Sequence, residues 1–203
     1  MRKLIVIAIL CAFSVMLLAD AKDEALSSMG TAKDLINSGD YKKAADELNY
    51  ALTKINELLS QNLVKYLPQA PAGYTEESRE ATSLGSAGAI LGSANSLAAT
   101  SSYSASSGSS ISVTISVGGM MGQVAGFASM GQMWGGATTG SSSVRIKGYT
   151  GTLEYDKDDQ SGTLSVKVGD ETSVIVEGSM ISDGEVLKQL VNGMDLSGLE
   201  KEF

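Results

Sequence analysis

Apolar residues recur at steps of three and four along two stretches near the N-terminus. Ala25, Met29, Ala32, Leu35 and Ile36 form the first stripe, and Tyr41, Ala44, Ala45, Leu48, Ala51, Leu52, Ile55, Leu58, Leu59 and Leu63 the second. That period predicts two amphipathic helices. Between them Gly39 is placed to end the first in a left-handed cap, and Asp40 to cap the second. A short turn between two such stripes predicts an antiparallel helical hairpin over 22–66. Pro68 and Pro71, the only prolines, mark a linker over 67–74, because proline and the residue before it resist helix.

Beyond the linker the period changes to two. Ile111, Val113, Ile115 and Val117 alternate with Ser110, Ser112, Thr114 and Ser116, which predicts a strand with one buried face. Residues 96–105 have the hydroxyl and small-residue character of an edge strand, with a loose hairpin loop after it. Thr75-Glu76-Glu77 opens a short predicted helix. Further strands are expected at Ser143–Tyr155, Thr163–Val168 and Ser173–Glu177, separated by the turns DKDDQSG and Gly169-Asp170-Glu171, as an antiparallel meander. Ser182-Asp183-Gly184-Glu185 then starts a last helix carrying Val186, Leu187, Leu190 and Val191, ended by Gly193. Leu196 and Leu199 are expected to pin a short tail. The fold class expected is α+β: an N-terminal helical hairpin, then a β-rich domain over 75–203 whose antiparallel sheet is crossed by one helix and closed by a C-terminal helix.

The first residues set the compartment. Arg2 and Lys3 precede an apolar run from Leu4 to Leu18, followed by Ala19-Asp20-Ala21, the pattern of a secretory signal peptide over 1–21. The run is short for a membrane span, so no span is expected after cleavage. Cys11, the single cysteine, lies inside the run behind Leu10, where a lipoprotein signal would not put it. The rest of the chain has neither cysteine nor histidine, which excludes disulfides, thiolate metal sites, cysteine nucleophiles and every histidine-dependent triad. A formal charge of −8 argues against a nucleic-acid partner.

The uncharged stretch GGMMGQVAGFASMGQMWGG, 118–136, is the crossing-helix candidate. Met120, Met121, Phe127, Met130, Met133 and Trp134 are its candidate binding residues. Packing over the sheet is the simplest reading, and a lid or groove for an apolar ligand or partner is the alternative. Too little hydrophobicity remains among its glycines and polar residues for insertion into a membrane. Thioethers suit Cu(I), yet methionine equally fills irregular cores, so no metal is assigned. The acidic turn Asp156–Gly162 invites calcium but departs from the EF-hand loop, with glycine one place late and Lys167 where a bidentate glutamate belongs. No nucleophile elbow or phosphate-binding loop is present, GSAGAILGS at 85–93 lacking the Lys-Ser/Thr. No cofactor is expected.

The segment SGDYKKAADELNYAL, 38–52, resembles the second half of a tetratricopeptide repeat. Gly39-Asp40-Tyr41, Ala44, Leu48 and Ala51 fall on the turn and packing positions of that repeat, and Ala32 matches a small position in its first helix. Ser28 and Thr31 stand where the repeat has its larger residues, and no second copy follows. Since stacked repeats need about three units, a single one must pack on something else. The resemblance implies protein–protein docking. The order of helical unit, proline segment and β-rich region is also similar to exported bacterial proteins of unassigned function. The expectation is therefore a non-catalytic, exported interaction or assembly module of the envelope, periplasmic or secreted, with a protein partner or self-association. The alternative is a periplasmic carrier of a small apolar ligand or lipid.

Overall fold

A computed structural model describes the backbone of residues 2–83, 97–118 and 141–203, with side chains from Asp20 onward except Thr82 and Ser83. The chain divides into two compact units, Met1–Leu59 and Ser60–Phe203. The architecture is α+β: two N-terminal helices, a seven-stranded antiparallel sheet and C-terminal helices.

In the first unit, helix α1 (Arg2–Ser38) runs without a break through Ala21 and turns back into α2 (Tyr41–Leu63). The reversal is a Schellman motif: Gly39 has φ +83°, its N–H donates to Ile36, and the Asp40 N–H donates to Leu35. Asp40 then caps α2, its Oδ1 accepting from the Lys43 N–H at 3.4 Å. The Lys43 ammonium, 2.7 Å from Asp40 Oδ2, holds that carboxyl below its ordinary pKa. Small residues line the inside of the hairpin, with Ala21, Ala25, Ser28 and Ala32 of α1 and Ala44 and Ala51 of α2 all buried. Side chains of that size let two helix axes approach closely.

The second unit is built on a sheet of order β1-β2-β3-β7-β6-β5-β4, all pairs antiparallel. The strands are β1 (Tyr74–Ser83), β2 (Leu97–Ala105), β3 (Ser110–Val117), β4 (Ser141–Ile146), β5 (Tyr149–Asp156), β6 (Ser161–Val168) and β7 (Thr172–Ser179). Register aligns the apolar side chains of neighbouring strands. Ala99 faces Ile115, Ile115 faces Val174, and Val174 faces Val166. One row over, Val113 faces Val176, which faces Leu164, which faces Leu153. Alternation therefore gathers one continuous apolar face. Hydroxyls collect on the other, where Thr100 and Thr114 pair at 3.4 Å and Ser78 and Ser102 at 2.5 Å.

Helices α3 (Glu185–Gly193) and α4 (Leu196–Glu202) bring buried Leu187, Leu190, Val191, Leu196 and Leu199 to this core. Gly162 and Gly178 stand opposite each other on β6 and β7 and make room there. A Cβ on Gly178 would lie 2.7 Å from Ile181 Cδ1 and 3.0 Å from Leu187 Cδ2.

Three expectations need correction. Thr75-Glu76-Glu77 is not helical but lies in β1, because ladder pairing to β2 and the anchoring of Arg79 described below override local propensity. A bulge between Glu76 and Ser78 accommodates the charged run. The stretch expected as an edge, described from Leu97 to Ala105 as β2, is covered by β1, and among the described strands the edges are β1 and β4. Ser143–Tyr155 is two strands, since Lys147 (φ +51°) and Gly148 (φ +94°) make a two-residue hairpin of the kind whose twist matches the sheet. The tail is pinned by buried Leu196 and Leu199 and forms a helix, α4, capped by Asp195, whose Oδ1 accepts the Gly198 N–H at 3.0 Å. The helix expected to cross the sheet over 118–136 falls almost wholly outside the described residues.

Candidate functional site

The two columns of large apolar residues on the hairpin point away from its alanine seam. Leu26, Met29 and Ile36 of α1 and Tyr41, Leu48, Leu52 and Ile55 of α2 are 37–70% exposed. Helical spacing puts each of them to one side of the line through Ala25 and Ala32 or through Ala44 and Ala51. In an antiparallel pair the two sides meet on one face of the hairpin. Polar contacts mark the opposite face. The Lys54 ammonium lies 2.9 Å from Glu24 and 3.3 Å from Glu57, the Tyr50 hydroxyl donates to Glu24 at 2.7 Å, and Lys54 sits 5.4 Å from the Tyr50 ring centroid. These bonds, Lys54 first, hold the Glu24 carboxyl below its ordinary pKa, while the same carboxylate raises Lys54 and Tyr50. Glu24 opposite Tyr50 and Lys54 also sets the level of the two helices, placing Met29 level with Leu48 and Leu26 with Leu52.

In the second unit, Leu67, Pro68 and Pro71 form one wall of an open cleft of about 550 Å³, with Gln189, Leu190, Met194 and Asp195 on the other side. The wall is held by Arg79 of β1. Its guanidinium donates to the carbonyls of Leu67 at 3.1 Å and Pro68 at 2.6 Å, and its Nη2 meets Glu76 at 2.6 Å. A cation at the end of a helical segment neutralises carbonyls that have no partner within the helix. Buried Tyr103 donates to the Pro68 carbonyl as well, and Ser101 hydrogen-bonds the Tyr103 hydroxyl. Leu67 and Pro68, expected in a linker, are thus buried parts of the second unit. Beside the cleft, Tyr66 donates to Glu202 and packs edge-on against Phe203, with ring centroids 6.1 Å apart. The Glu202 carboxylate pushes the Tyr66 hydroxyl up to about 12.

Met120, Met121, Phe127, Met130, Met133 and Trp134 all lie outside the described residues. Among the described residues no group of three or more ionisable metal-ligating side chains is gathered, and no helix is long and apolar enough to cross a membrane. The acidic turn weighed for calcium uses Asp156 locally, its Oδ1 accepting the N–H groups of Asp158 and Asp159. Local sequence pattern does not disclose the cleft, beyond the pair of prolines in its wall. The chain matches no known family model, no curated protein and no solved structure.

Proposed function

We propose that this protein is a non-catalytic interaction or assembly module of the bacterial envelope, exported by its N-terminal segment. The exposed apolar face of the hairpin carries this reading. Soluble proteins rarely expose contiguous apolar patches larger than a few hundred Å², and larger ones mark interaction surfaces. The docking role implied by the repeat-like segment 38–52 agrees with it, and a mature chain without histidine or cysteine suits a binding role better than catalysis. A photo-crosslinking residue at Leu48 or Met29, introduced in living cells, should give protein adducts, whereas one at exposed Thr31 on the opposite face should not. Absence of adducts from Leu48 and Met29 would sink the proposal.

The cleft supports a second reading, carriage of a small apolar ligand. Leu67, Pro68, Pro71, Leu190 and Met194 supply an apolar lining, with Lys65, Gln69, Gln189 and Asp195 among the polar groups. Ala72→Trp, which fills the cleft from an exposed position, should abolish uptake of an environment-sensitive apolar dye. Unchanged uptake would remove this reading.

A further inference from the structure

The sheet has a second face, where Thr114 and Ser116 of β3, Ser173 of β7, Thr163 and Ser165 of β6 and Thr152 of β5 alternate away from the apolar core. Helix α3 and the proline wall lie on the apolar side, with Leu187 against Gly178 and Gly162 and Tyr103 bonded to Pro68. Yet Ser116, Ser165 and Ser173 are only 2, 8 and 0% exposed within the single chain. Ser116 Oγ is buried with no hydrogen-bond partner among the described residues. Hydroxyls on a sheet face open to water would stay wet, so the centre of this face is covered.

Chain connection names the cover. Four antiparallel steps separate β3 from β4, so these two strands are parallel and the chain between Gly118 and Ser141 is a crossover. Register through β5, β6 and β7 sets Ser141 level with Ser112. From Gly118 the chain must therefore return about 20 Å along the strands and move about 19 Å across them. Crossovers between parallel strands of one sheet are right-handed in about 98% of cases. Hydrogen bonds fix which face that means. The Gly118 N–H donates to Glu171, opposite it beyond the end of β7, whereas Ser109 accepts from Ala105 of β2. Even-numbered residues of β3, whose side chains are on the hydroxyl face, thus turn their N–H and C=O groups toward β7. When an upward strand has an L-residue's side chain toward the viewer, Hα lies to the left and both polar groups point right. Seen from the hydroxyl face with β3 upward, β7 and ultimately β4 lie to the right. A right-handed connection passes in front of that face.

We propose that the hydroxyl face, and not the apolar one, is the docking surface for the chain's own residues 119–140. That stretch carries no charge, so covering the hydroxyls with it desolvates no ion, and Gln123 and Gln132 supply hydrogen-bonding groups. The centre of the sheet is then closed on both faces, which leaves the hairpin and the cleft as docking surfaces for other molecules.

A photo-crosslinking residue in the full chain, at Thr163 or at Thr152, tests this. Residues 119–140 contain no lysine or arginine, so trypsin keeps them in one peptide that ends at Arg145 and is separate from the peptide carrying either probe. Each probe should give an intramolecular adduct attached within 119–140, whereas the same residue at exposed Gln189 of α3 should not. Unchanged far-UV circular dichroism shows that a variant is folded. Adducts from folded Thr163 and Thr152 variants to the hairpin or to another protein instead, or no adduct within 119–140, would overturn the proposal.

Discussion

The hairpin and the sheet solve opposite packing problems with similar residues. Inside the hairpin lie Ala25, Ala32, Ala44 and Ala51, while Leu26, Met29, Ile36, Tyr41, Leu48, Leu52 and Ile55 are exposed. In the second unit Ile111, Val113, Ile115, Leu164, Val166, Val174, Val176 and Leu187 are buried. A fully buried large aliphatic side chain contributes about 1.5–3 kcal/mol, against about 0.8 kcal/mol for a single buried carbon such as an alanine methyl. The second unit therefore holds most of the stability within itself. The hairpin leaves much of its apolar surface exposed.

The sharpest way to break that contrast is a matched truncation. Leu187→Ala, at a site with no exposure, should destabilise the second unit by about 2–5 kcal/mol in urea unfolding. Leu48→Ala, at a site 46% exposed, should change the unfolding free energy of the hairpin by less than about 0.5 kcal/mol. Equal losses would mean that the hairpin face is core after all.

Next in size is Arg79→Ala, which strips charged donors from the Leu67 and Pro68 carbonyls and leaves Glu76 without its partner. A loss of about 2–3 kcal/mol is expected, the worth of hydrogen bonds to a charged group. It should be accompanied by faster amide exchange in β1, and a variant as stable as the parent would show that the proline wall stands without it. Gly178→Ala comes third, at about 1–3 kcal/mol, because its methyl would overlap Ile181 and Leu187.

The smallest effect is alkaline. Tyr66 has an ordinary value of 10.0, raised to about 12 when folded, chiefly by its bond to Glu202. A raised folded pKa adds stability that is fully present below pH 10 and is lost as pH rises through about 12. The fall in melting temperature of the second unit across that window should shrink in Tyr66→Phe. Tyr149, bonded to Glu200 at 2.7 Å, is shifted in the same direction and should leave a residual slope.

The elements legible in the sequence were those whose periodicity had one meaning. Both hairpin helices, the Gly39–Asp40 reversal and the strand over 110–117 fall into that group. Misreadings arose where local chemistry and tertiary pairing disagree. Thr75-Glu76-Glu77 has the composition of a helix start, but its backbone is claimed by β2. Lys147-Gly148 interrupts a run that alternates acceptably on both sides, and only the left-handed φ values of both residues disclose the turn. The candidate site was legible in part. The stripe of α2 could be read as apolar, but which apolar residues turn inward could not, since alanines and leucines share nearly the same arc of the helix.

The sequence by itself determined the α+β class, the helical hairpin, the reversal at Gly39 and the chemistry closed to a chain with no histidine and no cysteine beyond Cys11. Spacing and composition suffice for these because each depends on residues near one another in the chain. Tertiary structure alone decided that β7 inserts beside β3, that β1 takes the edge, that two prolines become the wall of a cleft, and that the alanines rather than the leucines form the seam of the hairpin. Those outcomes depend on which distant backbone supplies the missing hydrogen bonds and on how closely two helix axes approach, and neither is encoded in any short window of the chain.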